Sequence, residues 1–128
     1  MKLELCDKDH EIYKDLSYHS DEVSFDLDAT IAGSNFPKAG IGEAIDGARR
    51  AMFYVMSLGF KPVIFTTRPD YERKRIEEWA KDHELPITRV QCGKSFFRLH
   101  IDDRAVGFRG DWEKTQKEIK EMLKNAKV

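Results

Sequence analysis

Two aspartates, Asp26 and Asp28, stand one residue apart at the end of an apolar run, a costly place for negative charge unless the charge is used. Side chains at positions i and i+2 of an extended segment point to the same side, so both carboxylates would face one space beyond a strand end. Such a pair can attract a hard divalent cation, and a carboxylate beside a cation can act as a nucleophile or as an acid. The plainer interpretation is a strand that runs into an acidic turn, and the pair taken alone favours it.

Further polar side chains accompany the later apolar segments, and their types suit a metal ion together with a phosphate group. They are Thr66, Thr67, Lys94, Asp102 and Asp103. In an open parallel sheet, ligands bind outside the carboxyl ends of the strands, where these groups would converge. Magnesium takes carboxylate oxygens and keeps waters, while a lysine and a hydroxyl neutralise and orient phosphate oxygens. Each group also has a plain structural interpretation, such as a turn in which Arg104 pairs with the acids, but their shared order favours a site.

Apolar strands alternate with helical segments along the chain, and this alternation predicts a parallel sheet covered by helices on both sides. The first predicted strand begins at Glu22, and the later predicted strands cover 62–66, 87–92 and 98–101. The predicted helices cover 41–58, 70–83 and about 113–125. Asp70 is the predicted N-cap of the middle helix, and His83 is predicted to end that helix in a structural role. The loop at 32–40 is too short for an inserted lid domain.

Length and composition indicate one soluble globular domain. The chain has 128 residues, of which 41% are hydrophobic and 35% charged, and its net charge of −1 provides no basic field that would attract nucleic acid. No apolar run approaches the roughly 18 to 20 residues needed to span a bilayer, and the charged start does not resemble a signal peptide, which predicts a cytoplasmic protein without membrane contact. Cys6 and Cys92 have no metal-ligand spacing and are interpreted as buried small hydrophobic residues.

Taken in order, these groups resemble the four motifs of haloacid dehalogenase (HAD) superfamily phosphohydrolases of the small capless type. Asp26-Leu27-Asp28-Ala29-Thr30 resembles the first motif, Thr66 the second, Lys94 the third and Asp102-Asp103 the fourth. The resemblance implies a three-layer α/β/α, Rossmann-like (HAD-like) domain at 21–128 with a mainly parallel sheet and no cap domain. Residues 1–20 are then an N-terminal extension, either an edge strand or an arm. Ala29 stands where the family usually has glycine, which matters if the backbone there needs a positive φ.

The resemblance implies a phosphatase that hydrolyses phosphomonoesters with Mg²⁺ through an aspartyl-phosphate intermediate. Asp26 would be the nucleophile and Asp28 the acid and base, Thr66, Thr67 and Lys94 would bind the phosphate, and the metal set would be Asp26, Asp28, Asp102 and Asp103. Which of Asp102 and Asp103 ligates the metal directly stays open. The expected substrate is a small phosphorylated metabolite, either a sugar phosphate or a nucleotide. A polynucleotide end phosphatase and a non-catalytic phosphate- or metal-binding regulatory module are the alternatives, and a homo-oligomer could supply the missing lid.

Overall fold

Three parallel strands form the sheet. The computed structural model describes residues 21–35 and 40–124, so the predicted extension at 1–20 lies outside the described residues. β1 covers Glu22–Phe25, β2 covers Lys61–Phe65 and β3 covers Arg89–Gln91, and they lie side by side in that order. The register pairs the last residue of β1 with Ile64 and the last residue of β2 with Gln91. The carboxyl ends of the three strands therefore meet at one edge of the sheet.

Three α-helices accompany these strands. α1 covers Ala48–Ser57, α2 covers Arg73–Asp82 and α3 covers Trp112–Leu123, and a short 3-10 turn at Asp70–Glu72 precedes α2. α1 packs against β2 and α3, while α2 packs against β3. The fold is the predicted three-layer, Rossmann-like α/β arrangement with a parallel sheet. In the described residues, no helix has both the length and the apolar character required to cross a membrane.

The central strand is apolar from Pro62 onward, and this part of it is covered on both faces. Residues 62–64 of β2 are all buried, as expected for a strand of a parallel sheet. Leu27 and Ile31, which follow β1, are fully buried in the same apolar cluster. Fully burying a side chain of this size contributes about 2 kcal/mol relative to leaving it exposed. This burial anchors the chain segment that carries the two aspartates.

The first long helix is shorter than predicted. Apolar spacing predicts a helix at 41–58, whereas α1 begins at Ala48. Residues 43–45 instead pair with residues 31–33 through two backbone hydrogen bonds of 2.7 and 2.8 Å. Because these backbone groups are committed to the turn after β1, they cannot also form a helix, and the prediction was wrong for residues 41–47.

Asp70 does not cap the middle helix. Pro69 precedes the 3-10 turn in an extended conformation, and Asp70 lies inside that turn, where its carboxylate pairs with Arg73. The N-cap prediction was therefore wrong, because a local ion pair competes for the same carboxylate. His83 ends α2 as predicted, with its ring centre 4.5 Å from that of Trp79 and its Nδ1 2.8 Å from the Trp79 carbonyl oxygen.

The predicted strand at 98–101 does not form. This segment is irregular, and apolar side chains in and beside it face solvent, with Phe96 89% and Ile101 95% exposed. Within the described residues β1 pairs only with β2, so no strand lies along the other edge of β1. A strand is stable only when a neighbour satisfies its backbone N–H and C=O groups, and an apolar composition does not supply that neighbour.

The remaining predicted elements have the predicted type of secondary structure but begin or end at different residues. The strand predicted at 87–92 covers only the three residues of β3, and the helix predicted at about 113–125 is α3. Asp111 caps α3, since its carboxylate accepts hydrogen bonds from two backbone N–H groups of the first turn at 3.0 and 3.2 Å.

Cys92 is half-buried, and burial raises the pKa of its thiol, while Cys6 lies outside the described residues.

Candidate active site

The turn after β1 presents both predicted catalytic aspartates. Leu27 is fully buried, whereas Asp26 and Asp28 on either side of it are half-buried and reach solvent. The Thr30 hydroxyl donates a hydrogen bond to Asp26 Oδ2 at 3.3 Å, and no other group in the described part of the chain hydrogen-bonds to this carboxylate. Asp26 is thus oriented by its own turn, with Oδ1 left for other partners.

Backbone hydrogen bonds close this turn tightly. The Leu27 carbonyl accepts hydrogen bonds from the N–H groups of residues 30–32 at 3.3, 3.1 and 2.9 Å. Within this tight turn Ala29 adopts the left-handed conformation, with φ at +63°. The backbone does need the positive φ that a glycine adopts freely, so the alanine at this position is strained.

Trp112 braces the same turn from α3, a contact that sequence reasoning missed. Its Nε1–H donates to the Thr30 carbonyl at 2.9 Å, and its ring centre lies 5.7 Å from that of Phe25 at the end of β1. Gly47 permits this approach, because a Cβ at that position would lie 2.7 Å from the Cβ of Trp112. The sequence signal was an aromatic residue at the start of an amphipathic helix, which does not specify what the residue contacts.

Thr66 and Lys94 are joined by a backbone hydrogen bond at the ends of β2 and β3. Thr66 is 1% exposed; its N–H donates to the Gln91 carbonyl at 3.0 Å, and its carbonyl accepts from the Lys94 N–H at 2.9 Å. The Lys94 ammonium lies 5.4 Å from the centre of the Phe65 ring, within range of a cation–π interaction. Thr67, next in the chain, is half-buried. The predicted phosphate-binding residues therefore lie at the same edge of the sheet as the two aspartates.

Arg68 links the ends of β1 and β2, and sequence reasoning did not select it. Its Nε and Nη2 donate to Asp28 Oδ2 and Oδ1 at 2.9 and 2.8 Å, and the arginine side chain is only 14% exposed. Nη2 also donates to the Gly40 carbonyl at 3.1 Å, and Nη1 lies 3.8 Å from Glu72 Oε1. The hydrogen bond to Asp28 raises the pKa of Arg68, so this group stays a cation. The available signal was an arginine two residues after a strand-end threonine.

The predicted acidic pair lies on the exposed segment that was expected to be the fourth strand. Asp102 accepts a hydrogen bond from the Arg104 N–H at 2.9 Å, which lowers the pKa of its carboxyl group, and Arg104 Nε lies 4.0 Å from Asp103 Oδ1. These local contacts agree with the plain structural interpretation, in which the acidic pair lies in a turn beside Arg104. Across residues 21–35 and 40–124, no three His, Cys, Asp or Glu side chains are grouped so as to hold a metal ion.

The predicted metal set is therefore not assembled. Asp102 and Asp103 stay apart from the other two aspartates because the segment before them does not pair with β1. Both oxygens of Asp28 are bound by Arg68, which leaves Asp26 as the carboxylate with an available oxygen. Carboxylate oxygens are the ligands that Mg²⁺ prefers, but the donor set in this arrangement does not fit a magnesium centre built from four carboxylates.

The groups that do meet at the sheet edge can act on an oxyanion. They offer a carboxylate with an available oxygen, an ammonium and a hydroxyl on neighbouring strand ends. Two surface concavities, of about 440 and 470 Å³, lie along α3 and between α2 and β3, so neither contains the aspartates. The candidate site is therefore defined by the strand-end groups and not by either concavity.

The fold defines the chain as an α/β protein of the Rossmann-like type. No family model matches the chain, and no curated protein matches it. Among solved structures, the chain is similar to an MCSG target from Vibrio cholerae, with 23% identity, a TM-score of 0.58, and coverage of 83% of this chain and 98% of that one. It is also similar to a conserved protein from Bacteroides thetaiotaomicron, with 25% identity, a TM-score of 0.55, and coverage of 77% of this chain and 88% of that one. These likenesses support the fold.

Proposed function

We propose that this protein is a phosphomonoesterase of the HAD type that works through an aspartyl-phosphate intermediate. The observation that carries the proposal is the position of Asp26, with its available Oδ1, at the same sheet edge as the joined residues Thr66 and Lys94. A nucleophile, a hydroxyl and a cation on neighbouring strand ends are groups that phosphoryl transfer uses.

Asp26 attacks the phosphorus atom through a carboxylate oxygen. A bond forms between that oxygen and phosphorus, the ester P–O bond breaks, and its electron pair leaves on the substrate oxygen. That oxygen takes a proton from Asp28, which enters this step in its protonated form with one of its two hydrogen bonds from Arg68 released. In the second step, Asp28 accepts a proton from water as the water oxygen attacks the phosphorus of the aspartyl phosphate. The bond between phosphorus and Asp26 then breaks, inorganic phosphate leaves, and both carboxyl groups return to their starting state.

Thr66, Thr67 and Lys94 hold the transferred phosphoryl group in this mechanism. The ammonium of Lys94 offsets charge on the phosphoryl oxygens. Thr66 Oγ1 accepts a hydrogen bond from the Arg68 N–H at 3.2 Å, so its hydroxyl hydrogen can donate to a phosphate oxygen. Thr66 is 1% exposed, so close packing restricts rotation of its side chain.

We propose Mg²⁺ as the cofactor, because a cation would offset the repulsion between a phosphate and an attacking carboxylate. The resemblance implies that Asp26, Asp28, Asp102 and Asp103 would hold the ion, which would require Asp28 to leave Arg68 and the exposed segment to approach the end of β1. These four residues are not assembled in the described arrangement, so no step is assigned to the metal.

The proposed substrate is a small phosphorylated metabolite of the cytoplasm, such as a sugar phosphate or a nucleotide. A net charge of −1 gives no general attraction to a polynucleotide, whose binding depends on neutralising phosphates. A polynucleotide end phosphatase and a non-catalytic phosphate-binding module are the competing functions.

Phosphate release tests the proposal on p-nitrophenyl phosphate, on a panel of sugar phosphates and nucleotides, and on a terminally phosphorylated oligonucleotide. Each substrate is assayed with Mg²⁺ and with EDTA. We expect turnover of small substrates that depends on Mg²⁺, and a loss of about 1,000-fold or more in Asp26→Asn, because the nucleophile is removed. Asp82→Asn is the matched control, since Asp82 is exposed at the far end of α2 and should leave activity unchanged.

A wild type that is inactive on the whole panel with Mg²⁺ would refute the proposal, as would full activity of Asp26→Asn. Binding of inorganic phosphate without turnover of any substrate would indicate the non-catalytic module. A strong preference for the oligonucleotide would indicate the end phosphatase.

A further inference from the structure

The stretch that follows β3 combines aromatic and basic side chains. Residues 94–100, which we call the basic aromatic segment, contain Lys94, Phe96, Phe97, Arg98 and His100. The segment has no acidic residue, although the whole chain has a net charge of −1. Residues 95–100 are all exposed to solvent. Exposed aromatic rings among cations are the combination with which proteins bind nucleotides and unpaired bases.

Backbone hydrogen bonds attach this segment to the candidate active site. The Lys94 N–H donates to the Thr66 carbonyl at 2.9 Å, and the Gly93 N–H donates to the Arg68 carbonyl at 2.9 Å. Phe96 follows Lys94 by two residues, so the two Cα atoms lie within about 7 Å of each other. A ribose unit separates the phosphate and the base of a nucleotide by a comparable distance. A phosphate bound by Thr66 and Lys94 can therefore place its base against the Phe96 ring.

The two phenylalanine rings differ in what already covers them. Phe97 lies edge-on to His100, with the ring centres 5.6 Å apart and an interplanar angle of 75°. Phe96 is 89% exposed, so the face of its ring is open to a stacking partner. Arg98 forms no ion pair with any residue in the described part of the chain, so its charge is available to an anionic ligand.

We propose that the basic aromatic segment binds the base of the substrate, with Phe96 as the stacking residue, and that the substrate is a nucleoside monophosphate. The inference rests on the proposed function, because it takes Thr66 and Lys94 as the groups that bind the phosphate. Every base has a π-face that stacks on an aromatic side chain, whereas a sugar phosphate has no aromatic ring. Arg98, next to the two phenylalanines in the chain, attracts the anionic substrate and can stack on the base through a cation–π interaction.

Adenosine 5′-monophosphate and ribose 5-phosphate test this role, because both carry a phosphate on the 5-oxygen of ribose and differ at C1 in the base. The measurement is kcat/KM for each compound with Mg²⁺ in the full chain. Base stacking should give the nucleotide an advantage of about 10-fold or more in the wild type. Phe96→Ala should lower kcat/KM about 10-fold for the nucleotide and less than about 2-fold for ribose 5-phosphate.

Two further substitutions separate stacking from simple apolar contact. Phe96→Trp provides a larger π-face and should keep the preference for the nucleotide. Phe96→Leu keeps an apolar side chain without a π-face and should lose most of that preference. Because Phe96 is exposed, all three variants should unfold in urea as the wild type does.

Phe53→Ala is the matched control. Phe53 is also an exposed phenylalanine beside a cation, since the Arg49 guanidinium lies 5.0 Å from the centre of its ring, but it belongs to α1. Its loss should leave the ratio of the two kcat/KM values unchanged.

A kcat/KM for ribose 5-phosphate equal to or above that for the nucleotide would overturn the proposal. Equal losses on both compounds in Phe96→Ala would also overturn it. A preference of about 10-fold or more for a terminally phosphorylated oligonucleotide over adenosine 5′-monophosphate would overturn it as well, because the ligand would then be the end of a strand.

Binding distinguishes the failure of this proposal from the failure of the proposed function. If the wild type hydrolyses neither compound, the proposed function fails, and calorimetric titration of the wild type with each compound decides the nucleotide site. An affinity for adenosine 5′-monophosphate about 10-fold above that for ribose 5-phosphate, lost in Phe96→Ala, would support the site. Equal affinities, or no binding of the nucleotide, would refute it.

Discussion

Replacing Ala29 with glycine should stabilise this protein, although most alanine-to-glycine changes destabilise. Ala29 adopts φ of +63° in the turn after β1 and is exposed, so its methyl group contributes little to packing. The left-handed conformation costs a residue with a Cβ about 1–2 kcal/mol. Glycine removes that cost but gives back about 0.4–1 kcal/mol through the greater freedom of the unfolded chain. The expected net gain in the free energy of unfolding is about 0.5–1 kcal/mol.

Urea unfolding followed by circular dichroism measures this gain, and a thermal scan should show a rise in Tm of about 2–4 °C for a chain of this length. Ala44→Gly is the matched control, because Ala44 is also exposed but does not have a positive φ. That change should cost about 0.5–1 kcal/mol. If the two substitutions destabilise the protein equally, Ala29 carries no left-handed strain.

Gly47 and the exposed segment lead to two further measurable outcomes. Gly47→Ala should cost about 3 kcal/mol in urea unfolding, because φ is +95° and the new Cβ would lie 2.7 Å from the Cβ of Trp112. Gly59→Ala should cost only about 1 kcal/mol, since φ there is +94° but no atom would lie within 4 Å of the new Cβ. Equal costs for the two substitutions would contradict the close approach of Gly47 to Trp112. The amides of residues 97–101 should exchange rapidly with deuterium while that of Ile64 in β2 stays protected, and slow exchange would mean that the segment is paired as a strand.

The fold class and the sheet were predictable because they depend on local patterns. The continuous apolar run at 62–65 indicates a strand covered on both faces, and the helical spacing around Ile76 and Ile119 indicates helices with one buried face. The ends of the elements were less predictable. Residues 41–47 have helical spacing, yet their backbone groups pair with the turn after β1, a competition that apolar spacing does not report.

The two contacts that organise the site were not predictable from local patterns. Arg68 reaches Asp28 across 40 positions in the chain, and Trp112 reaches the Thr30 carbonyl across 82. Each pairing needs several elements to be packed first, so the residue types alone do not identify the partners. The catalytic and phosphate-binding roles of the strand-end residues stay predictions until activity is measured.

The sequence by itself determined which chemical groups stand at the ends of β1, β2 and β3 and in what order, because apolar runs and alternation are local properties of a chain. It also determined that Ala29 would matter if the turn needed a positive φ. Only the tertiary structure decided that the turn needs a positive φ at Ala29 and that Arg68 binds the carboxylate of Asp28. It also decided that Asp102 does not join the other aspartates. The physical reason is that such contacts depend on how whole elements pack and on whether an open strand edge gains a partner.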